Sequence, residues 1–129
     1  MNELKENLGR VIGILFMSRT YAHVAHLKTT SYATHKALND FYDDVVGLSD
    51  KLAEVSQGSL GLLEIPAIEQ TGDVGMPLEG LKQHLIEMEK LMNKSEIGFI
   101  NNVFEEIQAL YSSTFYKLTF LKNHLEKVA

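Results

Sequence analysis

The sequence predicts an all-α domain, most simply a four-helix bundle. Three observations carry that prediction. Four segments repeat apolar residues at intervals of three and four, and none alternates apolar with polar as a half-buried strand would. The connector over residues 58–76 is far longer than the others and holds Gly58, Gly61, Gly72, Gly75 and Pro66. The chain has 129 residues, 45% of them hydrophobic and 22% charged, which fits one ordinary globular domain able to bury a real core.

The elements follow in order. In the first segment, about residues 2 to 27, Leu4, Leu8, Val11, Leu15, Ala22 and His26 share one stripe. The second starts at Thr30 or Ser31, either of which can cap it. Its stripe is Leu38, Phe41, Val45, Leu48, Leu52 and Val55, and Gly58 supplies a stop. Pro77 suits the first position of the third helix, whose stripe is Leu78, Leu81, Leu85, Met88 and Met92. Asn93 and Ser95 then read as a helix end and a new cap. The fourth segment, from Glu96 to about Lys127, repeats Ile100, Phe104, Ile107, Tyr111, Phe115, Leu118, Leu121 or Lys122, and Leu125. Tyr111, Phe115, Tyr116 and Phe120 read as core rather than as a cofactor box.

The long connector chooses between topologies. Up-down bundles join neighbouring helices with about two to eight residues, so residues 58–76 are too many for a tight antiparallel turn. A second helix of about 27 residues spans roughly 40 Å, and an extended connector of this length reaches about 60 Å. It can therefore return along the bundle and start the third helix parallel to the second. That single long crossover between helices 2 and 3 is the ferritin-like connection. The apolar run Leu60-Gly-Leu-Leu-Glu-Ile65 would let it lie against the bundle; a loop that binds a partner is the competing reading.

Composition excludes several functions. The chain has no cysteine, so disulfides, thiolate metal sites and cysteine nucleophiles are ruled out, and a cytoplasmic setting is expected. A net charge of −5 and an N-terminus without a basic tail argue against stable DNA binding, which depends on neutralising phosphates. The apolar run Val11 to Met17 is too short to span a bilayer, and no cleavage site follows it, so no membrane association is expected. No Gly-rich loop follows a strand, which removes nucleotide cradling. The paired acids of a helical pyrophosphohydrolase are not matched by Asp40/Asp43 or Glu105/Glu106.

One constellation points to chemistry. His23, His26 and His35 fall close together, and Asp50 and Glu54 form an i,i+4 pair further along the second helix. Imidazole and carboxylate are the ligand set that suits iron, zinc or manganese. In this stretch His23 and His35 are twelve residues apart, His35 and Asp50 fifteen, and Asp50 and Glu54 four. That register, with the phrase Ser49-Asp-Lys-Leu-Ala-Glu54, resembles the Dps family of miniature ferritins over about residues 21–58. The resemblance implies a ferritin-like bundle in a homo-oligomeric cage, a dimer or larger and a dodecamer in the family's usual form. It also implies that iron, Fe(II) or Fe(III), binds between subunits and is oxidised there in ferroxidase fashion. The histidines would come from one chain and Asp50 and Glu54 from its two-fold mate. The sequence departs from the family pattern in three places: Val24 stands where a Trp is usual, Lys28-Thr-Thr-Ser replaces a Lys-Gly turn, and Asn39 occupies a common acid position. With the turn changed, His26 can take the place of His23 as first-helix ligand.

Helix geometry bears on the same residues. At about 100° per residue, Asp50 and Glu54 point almost directly away from the second helix's apolar stripe and His35 sits well off it. Such ligands meet only where a second subunit covers that face, which Tyr42, Val46 and Ala53 flank. The alternative is a helical bundle without a functional metal site, serving as an assembly or interaction protein, with Asp50 and Glu54 on a solvated face. His84 and His124 have no carboxylate at a convincing spacing and read as surface residues.

Overall fold

A computed structural model describes residues 2–92 and 97–121. Four helices are present: α1 Asn2–Lys28, α2 Tyr32–Leu60, α3 Pro77–Met92 and α4 Gly98–Phe120, with no strand among the described residues. Ser31 caps α2, its side-chain oxygen accepting from the Thr34 N–H at 3.0 Å. Gly58 does not stop this helix, contrary to expectation. The backbone continues to Leu60, and the cap is Gly61, whose φ of +89° lies where glycine is favoured. α3 opens at Pro77 as its sequence requires. Asn93, Ser95, Glu96 and the stretch beyond Leu121 lie outside the described residues; α4 takes Ile97 as its N-cap instead of the expected Ser95, and it closes at Phe120 with Leu121 as C-cap instead of running to about Lys127.

Side-chain contacts set the directions. α1 and α2 form an antiparallel hairpin, since His26 meets His35 at one end. Asn7 near the start of α1 reaches the Leu91 carbonyl near the end of α3, so α1 and α3 also run oppositely. Lys51–Glu106 and Lys117–Asp40 make α4 antiparallel to α2. Hence α2 and α3 point the same way and α1 and α4 the other. α1 and α4 each pack on α2 and α3, while α1 and α4 occupy opposite corners.

Residues 61–76 return along α1, and two glycines make that possible. A Cβ on Gly9 would collide with the Glu64 carbonyl, and one on Gly13 would come within 2.6 Å of the Pro66 carbonyl. The crossover thus covers a third side of α1, where Met17 is buried outside the stripe read from its sequence, as Ile12 and Ile14 also are. Further along, the Tyr21 hydroxyl donates to the Asp73 carbonyl at 2.6 Å, with the Met76 carbonyl at 3.1 Å. Gly80 leaves the room this ring needs on α3. Leu8, Leu15, Phe41, Leu52, Leu81, Ile107 and Tyr111 fill the centre, each burying a side chain worth about 2 kcal/mol of transfer free energy. Of the expected aromatic core, Tyr111 is buried and Phe115 packs against the cluster, but Tyr116 and Phe120 are exposed. They lie on the side of α4 that turns from α2 and α3. No helix of the described residues is long and apolar enough to cross a membrane.

Candidate functional site

The short turn after α1 decides where the histidines go. The Thr29 N–H bonds back to the Ala25 carbonyl and the Ser31 N–H to the Thr29 hydroxyl, which fixes the reversal over three residues. The last two turns of α1 then carry His23 and His26 beside His35 in the first turn of α2.

His26 and His35 hold each other reciprocally. The His26 Nδ1–H donates to the His35 carbonyl at 2.9 Å, and the His35 Nδ1–H donates to the His26 carbonyl at 2.9 Å. A carbonyl only accepts, so both rings carry their proton on Nδ1 and, when neutral, a lone pair on Nε2. The rings stack with centroids 3.7 Å apart and planes 20° apart. The His26 carbonyl is among the last four of α1, which have no partner within the helix, so His35 also caps α1. His23 stacks on Tyr42 at 4.3 Å. The Tyr42 hydroxyl donates to Asn39 Oδ1 at 2.8 Å and stands 3.5 Å from His26 Nε2.

This arrangement restricts metal chemistry within one chain. An imidazole ligates in its own plane, at about 2.0–2.1 Å for zinc. With near-parallel rings 3.7 Å apart, an ion in the plane of His26 lies well outside that of His35. Asp50 and Glu54 are both exposed, and Asp50, fifteen residues after His35, is about 22 Å along the helix from it. Among the described residues no group of three or more His, Asp or Glu side chains is placed to hold an ion. The chain therefore gathers His23, His26 and His35 and leaves Asp50 and Glu54 apart. Asn39 serves Tyr42 and donates to Asp43 at 3.2 Å.

A second polar cluster was not anticipated. His84, expected at the surface, is only 1% exposed. Its Nε2–H donates to the Thr71 carbonyl at 2.9 Å, so Nδ1 accepts from the Ser18 hydroxyl, also at 2.9 Å. The Tyr111 hydroxyl donates to Ser18 Oγ at 2.7 Å. One hydrogen-bonded line thus joins α4, α1, α3 and the crossover. Burial pushes the His84 pKa down, with the bond to Thr71 acting the other way. Burial raises the Tyr111 hydroxyl, opposed by its bond to Ser18. Tyr21 is pushed up to about 12, first by burial and then by the charges of Asp73 and Glu79. Every nitrogen and oxygen in the line is satisfied internally, which suits it to holding elements together. The signal for it was present: Leu81, His84 and Met88 follow the stripe spacing of α3, as Val11, Leu15, Ser18 and Ala22 do on α1. His124 lies outside the described residues.

A family model described as "Family of unknown function (DUF5856)" matches residues 26–118. The chain belongs to that family. An uncharacterized 14.6 kDa protein of the mobD-ri intergenic region of Enterobacteria phage T4 is 27% identical over 108 residues, covering 84% of this chain and 76% of its own. No solved structure matches. These findings overturn the resemblance to Dps and ferritins, since the family that spans the chain is a different one. The match begins at His26, leaving out His23, the first member of the twelve-fifteen-four register on which that resemblance stood. Such spacings arise on any pair of amphipathic helices that place polar residues off the apolar stripe.

Proposed function

We propose that this protein is a non-enzymatic assembly protein, a helical bundle that pairs with a second copy of itself through one end. The observation that carries this reading is the apolar character of the end at which α1 and α4 finish and α2 and α3 begin. Leu27 (69% exposed), Tyr32, Met76, Phe120 (69% exposed) and Leu121 all stand there in solvent. Exposed apolar patches of this kind mark interaction surfaces.

A second copy suits this end electrostatically. Helix C-termini carry about half a negative charge and N-termini about half a positive one. Here the two C-termini, of α1 and α4, occupy one diagonal and the two N-termini, of α2 and α3, the other. A two-fold axis lying across the end sets α1 of one copy over α2 of the next and α3 over α4, so every corner meets its opposite. On this reading the His26–His35 lock holds the hairpin that presents Leu27 and Tyr32.

Light scattering tests the proposal. Wild type at tens of micromolar should be a dimer or larger, and the double variant Leu27→Asp, Phe120→Asp should be monomeric with unchanged helical circular dichroism. A monomeric wild type, or a double variant that assembles as well as wild type, overturns it.

A further inference from the structure

A cavity of about 290 Å³ lies in the seam between the crossover, α1 and α3, away from the histidine cluster. Its walls divide by chemistry. Ile14 and Met17 of α1 and Ile68 of the crossover make an apolar interior. His84 closes the α3 side as a ring with both nitrogens already bonded, to Ser18 and Thr71, so it asks no proton or charge of a ligand. Arg10 stands at the rim, exposed and without an ion pair among the described residues. Glu87, also on the rim, is occupied: Gln83 donates to its Oε1 at 2.9 Å and Lys90 lies 3.6 Å from the same oxygen.

The cavity is also pre-formed. The crossover wall is held on one side by the close approach of Pro66 to Gly13 and on the other by the Tyr21 hydroxyl on the Asp73 carbonyl. The bond from His84 to the Thr71 carbonyl pins the stretch between them. A ligand entering here orders little protein, which removes one of the usual costs of binding. The volume is at the lower limit of small-molecule sites, about 300 Å³.

We propose that this cavity binds a small carboxylate with an apolar body, a short aliphatic chain or a single ring, the body lying among Ile14, Met17 and Ile68 and the carboxylate on Arg10. The guanidinium offers that anion a paired N–H fork. The proposal is independent of self-assembly, because the seam lies along the side of the bundle.

Sodium octanoate, titrated below its micelle concentration into the full chain and followed by amide NMR, tests it. Saturable shifts should map to residues around Ile14, Met17, Ile68, Thr71 and His84. Arg10→Gln should weaken octanoate about tenfold, as for loss of one charge-assisted bond, and leave 1-octanol unaffected. Ile68→Trp, which fills the cavity from the crossover side, should abolish binding with circular dichroism unchanged. Absence of saturable shifts at millimolar octanoate, shifts mapping elsewhere, equal affinity in Arg10→Gln, or tighter binding of octylammonium would each overturn the proposal.

Discussion

His26 and His35 each donate Nδ1–H to the other's main-chain carbonyl at 2.9 Å, with their rings stacked 3.7 Å apart. The pair closes the α1–α2 hairpin, and losing the His35 ring leaves the His26 carbonyl, one of the last four of α1, without its partner. His26→Ala should lower stability by about 0.5–1.5 kcal/mol, the effect of one lost bond, and His35→Ala by about 1–3 kcal/mol, because it also leaves the His26 carbonyl unsatisfied. Because both act on one contact, the double variant should cost less than the sum of the singles. Urea unfolding with unchanged m-values checks both statements.

His84 makes stability depend on pH in a stated direction. Its pKa is lowered in the fold by burial, so the native state resists a proton that the unfolded chain accepts. The contribution is complete above the ordinary histidine value of about 6.5 and is lost as pH falls below it, toward the lower folded value. His84→Leu should be less stable at neutral pH, having left the Ser18 hydroxyl and Thr71 carbonyl without this partner. It should also lose stability less steeply than wild type between neutral and acid pH. Denaturant midpoints measured across that range decide it, and equal slopes would contradict the assignment.

The glycines separate into two kinds. Gly9 and Gly13 carry the crossover directly on α1, so alanine at either should destabilise by about 1–3 kcal/mol through overpacking. Gly47 and Gly58 lie within α2 and face open space. Alanine there should stabilise by about 0.5–1 kcal/mol, because glycine is a poor helix residue. Thermal melts of the four variants should therefore move in opposite directions.

Iron chemistry has a direct test in the side chains thought to share an ion. The parallel rings of His26 and His35, and the distance from them to the carboxylate pair, leave no common ligand sphere within the chain. We expect His35→Ala and Glu54→Ala to leave the calorimetric response to Fe(II) indistinguishable from wild type. Loss of a saturable Fe(II) signal in both variants, with non-additivity between them, would establish an ion shared across chains.

Periodicity alone was enough for the class of fold and for most helix boundaries. Ser31 and Pro77 act where their chemistry says they should, because capping and the missing proline N–H are local properties. The outward aim of Asp50 and Glu54 was legible for the same reason: the angle around a helix depends only on spacing. Gly58 misled, since an exposed glycine costs a helix about 1 kcal/mol and packing on either side overrides that.

Tertiary structure decided everything that depends on a distant partner. His84 is buried because Thr71 of the crossover and Ser18 of α1 satisfy its nitrogens, and Tyr111 completes the line from 93 residues away from Ser18. Gly9 and Gly13 look like helix weaknesses until the crossover is laid upon them. The sequence by itself determined the helices, their apolar faces and the nearness of His23, His26 and His35. Only the folded chain decided that His26 and His35 bind each other's backbone, because a ring's proton goes to whichever acceptor the turn places within reach.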